Sequence, residues 1–278
     1  MAAPVTIPPA QKPVPAAPAS RRSWRIAGSI LAASAILLAT ANVWSAAGGL
    51  VADTETQHET YRHAVSRVEL DLDDGAIVLS RGDDDRVEIQ RRLEWLGRRP
   101  TIRETWAGDT LTITVRCANR STLGTRPRCA VAYTMRVPAG VEVDARTVAS
   151  RIDVRDLGGS LRLTGSSGDV TVSGTTGPLR VRTSSGGITV TGARTGRAEI
   201  QATSGDVELR FAAPPETLTV TTGAGNVDVA VPGDDAYDVT VRTARGEKDI
   251  SVRHESAAAR SIGVTTSRGD VRIRYGSR

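Results

Sequence analysis

Residues 166–190 read SSGDVTVSGTTGPLRVRTSSGGITV, and the internal repeat in this segment is the main indication of the fold. It contains Ser-Ser-Gly twice, at 166–168 and at 184–186, and a short alternation of apolar and polar residues follows each time. Glycine between such segments is typical of tight turns that need a positive φ. Alternation with a period of two indicates β-strands that bury one face. The stretch therefore predicts a strand–turn–strand unit that repeats.

The same unit recurs through the C-terminal half of the chain in two interleaved series of apolar-x-apolar pairs. The first series has gaps of 18 to 23 residues and begins its pairs at Ile152, Val170, Ile188, Val207, Val227, Ile250 and Val271. The second series has gaps of the same size and begins its pairs at Leu161, Leu179, Ala198, Leu218, Val239 and Ile262. Equivalent residues at a nearly constant period stack on one another in a solenoid. We therefore predict an all-β fold, a two-sheet β-solenoid (β-helix or β-roll) of about seven coils, with an antiparallel β-sandwich as the alternative.

The scarcity of aromatic residues, 3% of the chain, fits a thin core of Val, Leu and Ile between two close sheets. Residues 65–146 are β-rich but less regular, and we expect Trp95 and Trp106 to fill this wider part. The last strand, 271–275, alternates with Arg272 and Arg274. Charge of this kind suits an exposed edge that must not pair with another chain.

Positive charge is concentrated at the N-terminus. The chain carries a formal net charge of +5, but residues 1–52 contain no Asp or Glu, and their four basic residues supply most of the excess. The remaining 226 residues carry 32 basic and 31 acidic side chains. This balance argues against a nucleic-acid-binding groove on the folded part. Nine aromatic residues also make a base-stacking platform a poor interpretation.

No charged residue occurs between residues 26 and 52, and this run predicts a membrane segment. Trp24 and Trp44 bracket it at a distance that matches the hydrocarbon thickness. Arg21, Arg22 and Arg25 precede it, so the positive-inside rule places the N-terminus in the cytoplasm and the C-terminal part outside. The alternative is a secretory signal peptide that is cleaved at Ala39-Thr40-Ala41 and releases the rest of the chain.

The chain is accordingly divided into four parts. Residues 1–23 form a Pro/Ala-rich cytoplasmic tail, and 24–50 a transmembrane helix or uncleaved signal anchor. Residues 51–64 are expected to be a juxtamembrane stalk. Residues 65–278 form the β-strand repeat domain.

Three stretches carry a family resemblance: DDGAIVLSRGDDDRVEIQ at 73–90, CAVAYTMRVPAGVEV at 129–143 and the serial SSGDVTV turns. With these, the chain resembles the DUF4097 family of adhesin-like β-strand repeat proteins, in its membrane-anchored actinobacterial type. The resemblance covers roughly residues 65–278. It implies a β-solenoid in the cell envelope without an established catalytic activity, and it carries over no site residues. It also permits a link to envelope-stress sensing.

Cys117 and Cys129 lie 12 positions apart at the ends of two candidate strands. Outside the cytoplasm the natural interpretation is a structural disulfide, since no metal-ligand or CxxC pattern accompanies them. We predict no cofactor, no metal and no catalytic residues.

The repeated turns place small and Asx residues at equivalent positions. A row of Asx residues could hold Ca²⁺, but the spacing does not match the nine-residue Ca²⁺ repeat, so we expect the side chains to bond local backbone. The turn residues to which we assign this structural role are Gly168, Asp169, Gly186, Gly205, Asp206, Gly225, Asn226, Gly269 and Asp270.

These features favour a non-enzymatic, membrane-anchored extracytoplasmic module that is adhesin-like, envelope-binding or stress-related. Rows of Thr and Arg on its faces would suit a polyanionic or carbohydrate envelope polymer, or a protein partner. Two alternatives stay open. One is a polysaccharide-active β-helix enzyme, which would need paired carboxylates. The other is a self-assembling envelope scaffold.

Overall fold

The computed structural model describes residues 52–83, 86–117 and 129–276, which form an all-β unit of nineteen strands. In chain order the strands are β1 (Asp53–Tyr61), β2 (Arg67–Arg81), β3 (Val87–Trp95), β4 (Thr101–Ala107), β5 (Thr110–Arg116), β6 (Cys129–Val137), β7 (Glu142–Arg155), β8 (Leu161–Ser167), β9 (Val170–Ser173), β10 (Leu179–Ser185), β11 (Ile188–Ala193), β12 (Arg197–Ser204), β13 (Val207–Phe211), β14 (Thr217–Ala224), β15 (Val227–Val231), β16 (Asp238–Arg245), β17 (Lys248–Ser251), β18 (Ser261–Arg268) and β19 (Val271–Tyr275). The predicted tail and membrane segment lie outside the described residues.

The strands build two facing layers that β2 and β7 join, because each of these long strands runs through both. The first layer has the order β4-β5-β2-β7-β8-β10-β12-β14-β18-β16. The second has the order β1-β3-β6-β2-β7-β9-β11-β13-β15-β19-β17. Pairing is parallel except in β1–β3, β3–β6 and β4–β5. The solenoid prediction is thus confirmed over the antiparallel sandwich.

Equivalent residues stack from coil to coil as the repeat predicts. In the first layer, Leu161, Leu179, Ala198 and Leu218 occupy one column. In the second layer, Val170, Ile188, Val207 and Val227 form another. These side chains point inward and are at most 2% exposed. Their aliphatic columns fill the space of about 10 Å between facing sheets.

A half-coil of constant length sets the register. In every coil from β7 to β19, a residue of the first layer and its counterpart in the second are nine positions apart, as in Leu161 and Val170 or Ile262 and Val271. The period grows only through the connections on the opposite side of the coil, which lead from the second layer back to the first. The first of these connections is Asp156–Ser160, and the longest is Val252–Arg260. We call the two sides the short-turn edge and the long-turn edge. The short-turn edge is therefore the fixed side of the solenoid.

Seven coils run from β7 to β19, as predicted, and β2 and β5–β6 add two more coils. The order of coils in space differs from their order in the chain at both ends. The coil of β2 lies between those of β5–β6 and β7. The coil of β18–β19 lies between those of β14–β15 and β16–β17.

The expectation that 271–275 is an exposed edge strand is therefore wrong. β19 is an interior strand between β15 and β17, and Val271 and Ile273 are fully buried. Arg274 pairs with Asp228 at 3.2 Å, and Arg272 pairs with Asp249 at 3.3 Å. These arginines join neighbouring strands of the outer face.

The predicted stalk at 51–64 also needs correction, because residues 53–61 form β1. β1 pairs antiparallel with β3 along its whole length, so the folded unit begins earlier than residue 65. Its inward side chains are polar rather than aliphatic, and polarity hid the strand from a search for apolar alternation. β4 is of mixed character, because its inward residues are Ile102, Glu104 and Trp106.

The predicted disulfide is present between Cys117 and Cys129, whose Cα atoms are 5.9 Å apart. It joins the end of β5 in the first layer to the start of β6 in the second, at the short-turn edge. The Cys117 N–H donates to Asp73 Oδ2 at 2.9 Å. The bridge thus holds a coil together where the usual two-residue turn is replaced by a longer segment.

A column of glycines forms the short-turn edge. Gly168, Gly186, Gly205, Gly225 and Gly269 all have φ between +111° and +140°. A Cβ added to any of them would lie 2.0–2.3 Å from a carbonyl oxygen of the neighbouring coil. Both facts exclude side chains here, so these turn positions require glycine.

The Asx residues beside this column bond between coils rather than within their own turn, which corrects our expectation. Asp206 Oδ1 accepts from the Asn226 N–H at 2.7 Å, and Asn226 Oδ1 accepts from the Asp270 N–H at 3.0 Å. Asp169 Oδ1 accepts from the Gly187 N–H at 3.0 Å in the same way. Gly187 itself has no side chain and leaves a gap in this ladder.

Buried threonines line the inside of the same edge. The hydroxyl of Thr183 donates to the carbonyl of Ser185 at 3.0 Å, and Thr266 donates to that of Arg268 at 3.2 Å. Each bond satisfies a carbonyl at the point where the chain leaves the strand. The turn is therefore fixed by glycine outside and by threonine inside.

Within the part of the chain that the structure describes, no helix is long and apolar enough to cross a membrane.

Neighbouring substitutions at the short-turn edge should have opposite effects. Gly186→Ala should lower the free energy of unfolding by roughly 1–3 kcal/mol, because φ is +121° and Cβ would meet the Gly168 carbonyl. Gly187→Asn should raise the free energy of unfolding by about 1 kcal/mol. The new side chain has room, and its oxygen can accept a hydrogen bond from the Asp206 N–H. Urea unfolding of both variants measures the difference. Equal effects would contradict the ladder.

Candidate functional site

A groove runs along the long-turn edge, parallel to the stacking direction. Its cavity has a volume of about 930 Å³. The lining residues come from the ends of β2, β6, β7, β9 and β11 and from the start of β3. From β6 to β11 there are four strand spacings, or roughly 19 Å. The groove is therefore long enough for several units of an extended polymer.

Three arginines from different coils line this groove. Arg81 ends β2, Arg136 lies on β6 and Arg194 follows β11. Arg136 has a long ion pair with Glu88 at 3.4 Å. Among the described residues, no carboxylate pairs with the guanidinium groups of Arg81 and Arg194. The groove thus presents two exposed arginines that no described carboxylate neutralises.

Arginines on the flat outer faces are mostly neutralised, unlike those in the groove. Arg146 and Arg162 both pair with Asp144, at 2.9 and 3.5 Å. Arg180 and Arg182 both pair with Glu199. The expected rows of free Arg on the faces are therefore largely ladders of ion pairs between strands. This leaves the long-turn edge as the better candidate for binding an anion.

Asp156 in the groove has an unusual backbone. Its φ is +57°, the one positive value at a non-glycine residue in the described part of the chain. Gly174 and Gly192 occupy equivalent places in the next two coils, with φ of +65° and +64°. The Asp156 carboxylate lies over Gly174, where any Cβ would come within 2.1 Å of Oδ1. Glycine therefore suits this column of positive-φ positions, but the first position of the column is an aspartate.

The Asp156 carboxylate has no hydrogen-bond or ion-pair partner among the described residues. A strained backbone with an unpaired charged group in a groove is typical of functional positions. Two further carboxylates line the groove, and they pair with arginines, Asp83 with Arg86 and Glu88 with Arg136. The groove consequently offers a ligand cationic donors together with the Asp156 carboxylate as an acceptor.

A second polar cluster fills the wide end of the solenoid, between β1 and β4. Arg91 is 13% exposed, and its guanidinium donates to Gln57, Glu59 and Glu104. Glu104, 12% exposed, also accepts from Tyr133 and Tyr61. Trp106 packs edge-on against Tyr61, with ring centroids 5.4 Å apart. Trp106 and the half-buried Trp95 pack against the core, as we expected for this end.

The electrostatics of this cluster indicate a structural role. Burial raises the pKa of the Tyr133 hydroxyl, and the charge of Glu104 raises it further. Burial alone would lower the pKa of Arg91, but the hydrogen bond and charge of Glu104 and the charge of Glu59 raise it. Because both Glu104 oxygens have donors, neither is free for acid–base chemistry. We interpret the cluster as a polar plug that ties four strands together.

The turn residues singled out in the sequence lie at the short-turn edge, away from the groove. Their Asx oxygens accept backbone N–H groups. In the described ranges, no group of three or more His, Cys, Asp or Glu side chains is placed to hold a metal ion. The interface residues Arg21, Arg22, Trp24, Arg25 and Trp44 lie outside those ranges.

Comparison with known families supports part of the resemblance. Residues 147–274 match the family Toastrack DUF4097. This segment holds the regular coils from the middle of β7 to β19. Residues 65–146, which the resemblance also covered, are outside the match. No curated protein matches the chain.

Solved structures with a similar arrangement are distant in sequence. An adhesin candidate from Bacteroides fragilis is 12% identical, with a TM-score of 0.46, over 79% of this chain and 97% of that one. A candidate cell adhesion protein from Clostridium sporogenes is 11% identical, with a TM-score of 0.38, over 81% and 100%. A candidate lipid-binding protein from Parabacteroides distasonis is 10% identical, with a TM-score of 0.31, over 78% and 96%.

Sequence reasoning missed the groove, because its residues lie in connections of unequal length. Only one signal pointed to it: Asp156 occupies the place where the following coils have Gly174 and Gly192. That alignment becomes visible only once the coils are stacked.

If the Asp156 carboxylate binds a ligand and does not stabilise the fold, its removal should not lower the free energy of unfolding. Asp156→Gly should leave the free energy of unfolding unchanged or raise it by up to about 1 kcal/mol, since glycine adopts this φ without strain. Asp156→Ala keeps the strain and is the matched control, so it should be less stable than the glycine variant. A clear loss of stability in Asp156→Gly, measured by urea unfolding, would show that the carboxylate holds the turn.

Proposed function

We propose that this chain is a non-enzymatic, adhesin-like module that binds an anionic envelope polymer along its long-turn edge. The observation that supports it most is the pair of unpartnered arginines, Arg81 and Arg194, in one elongated groove. The match of residues 147–274 to Toastrack DUF4097 is consistent with a repeat module of this kind.

The chemistry of the groove favours a polymer that carries carboxylate or phosphate groups at intervals. Guanidinium groups recognise both anions through paired N–H donors. The Asp156 carboxylate can accept from hydroxyl groups of the same polymer, which favours a glycan-type or polyol chain over a simple polyanion. Because the arginines are exposed, each contact is weak alone, and affinity would come from several contacts along the groove.

Binding should depend on the groove arginines and on salt. We expect the full-length chain in detergent to bind poly(glycerol phosphate) or polygalacturonate, with affinity falling as ionic strength rises. The double variant Arg81→Ala/Arg194→Ala should bind at least about tenfold more weakly, the effect of losing two charge-assisted contacts. Arg242→Ala, an exposed arginine on β16, is the matched control and should bind like the original chain.

Three results would contradict this proposal. Binding that is unchanged in the double variant would place the site elsewhere. Equal losses in Arg242→Ala would indicate attraction by overall charge alone. Shortening of the polymer during incubation, abolished by Asp156→Asn, would favour the alternative of a polysaccharide-active enzyme.

We further propose that residues 24–50 anchor this module in the membrane, with the β-unit on the extracytoplasmic side. The uncharged run and its flanking Arg and Trp residues support the anchor. The Cys117–Cys129 disulfide supports an oxidising compartment.

The N-terminal residue of the mature chain tests the anchor. An anchored chain should remain in the membrane fraction and keep residues 1–23, with the β-unit open to external protease in intact cells. A mature N-terminus at Asn42 would instead show cleavage after Ala39-Thr40-Ala41 and release of the β-unit.

A further inference from the structure

The coil of β16 and β17 forms one end of the solenoid, and its β17 strand has a free edge there. β17 pairs with β19 on one side, and among the described residues no strand pairs with its other side. On the other layer, β16 pairs with β18, and its outer side is partly covered by the segment after β17, because Tyr237 forms a β-bridge with His254 and the Val239 N–H donates to His254 Nδ1 at 3.0 Å. The inward Ile250 is 41% exposed, and Val239, Val241 and Val252 are half-buried. This end therefore displays a cross-section of the core.

The β17 side of this end is suited to pairing with a strand of another coil. Each interior coil pairs with the next through backbone hydrogen bonds between parallel strands, and the aliphatic columns continue from one coil to the other. A second copy of the chain carries the same edge and the same column ends. Unprotected edges of this kind lead to association.

One residue interrupts the columns at this end. Lys248 pairs with Val271, so it occupies the inward column that Val170, Ile188 and Val207 fill in earlier coils. Its side chain is exposed, and Nζ donates to the carbonyl oxygen of Val241 on β16 at 3.1 Å. The ammonium group thus lies across the open end, between the two layers.

The choice of lysine is itself unusual in this chain. Of 36 basic residues, 34 are arginine, and the two lysines are Lys12 and Lys248. Arginine suits the planar ion pairs that join strands on the outer faces. Lysine carries a compact, strongly hydrated charge that is costly to bury. It stands where a stacked coil would bury it.

We propose that Lys248 prevents a second copy of this chain from stacking on the β16–β17 end. Two identical ends would meet about a two-fold axis, so both ammonium groups would enter the same contact. Each would lose water, and the two like charges would repel. Inward-pointing charge on an edge strand is a known protection against such pairing. The opposite end has its own protection, since β1 and β4 turn Glu59 and Glu104 inward.

Removing the charge should allow association. Lys248→Val in the full-length chain should give dimers or larger species whose share rises with concentration, measured by sedimentation in one detergent. Lys248→Arg keeps the charge and should behave as the original chain. Thr189→Val adds a similar apolar group on the outer face of β11 and should not associate.

A chemical test avoids any folding defect of the valine variant. In a Lys12→Arg chain, Lys248 is the one lysine, and acetylation after folding removes its charge. This sample should associate, while an acetylated Lys12→Arg/Lys248→Arg chain should not. A Cys placed at Ser251 on β17 should form an intermolecular disulfide only in the associated samples.

Two outcomes would overturn the proposal. One is an acetylated chain or a folded Lys248→Val chain that sediments as the original chain does. The other is association without cross-linking through position 251, since another surface would then be responsible. Neither outcome depends on polymer binding in the groove, so this proposal and the proposed function can fail separately.

Discussion

The structure depends on one constraint, the nine-residue distance between equivalent positions of the two layers. A turn of two residues can keep this distance only if the backbone adopts a positive φ and passes close to the neighbouring coil. Gly205, for example, has φ of +136° and leaves room for the Gly186 carbonyl. Once this turn is repeated in register, every inward column is aligned and every strand finds its hydrogen-bond partners. The thin aliphatic core follows from the same alignment, because side chains that stack at equal height leave little room for Trp.

A fixed short-turn edge leaves the long-turn edge free to vary. Connections there change in length without disturbing the columns, since the chain re-enters the first layer at the same register. Residues on that edge therefore face fewer packing demands. Arg81 is the last residue of β2, and Arg194 and Asp156 lie in connections next to rigid strands, as in many binding sites. The strained φ of Asp156 is tolerated because the strand before it and the coil beside it fix its position.

The sequence correctly predicted most residues of the core columns. It did not predict which coils lie next to each other in space. Leu161 to Ile262 were aligned correctly, because apolar alternation and the period determine register. In the other series we aligned Ile250 with Val271, but Lys248 is the equivalent residue. A search for apolar pairs moved past the lysine and shifted this coil by two positions. The polar strand β1 was missed for a related reason, since its inward Glu59 and Tyr61 belong to a hydrogen-bonded cluster. The groove could not be predicted, because it depends on which connections become neighbours.

The order of coils is hidden from any search for a repeat, because all coils share one register and can pair with one another equally well. Backbone hydrogen bonds cannot distinguish β15 beside β17 from β15 beside β19. The two strands differ in how apolar their inward residues are. β19 places Val271 and Ile273 in the core columns, whereas β17 offers Lys248 and Ile250. The coil of β18–β19, whose inward residues are apolar, therefore occupies the interior position. The coil of β16–β17, which contains Lys248, lies at the end. The longest connection of the long-turn edge, Val252–Arg260, lets the chain return over one coil to reach that arrangement. A residue that looks like a defect in the repeat thus selects the order of the coils and marks where the solenoid stops.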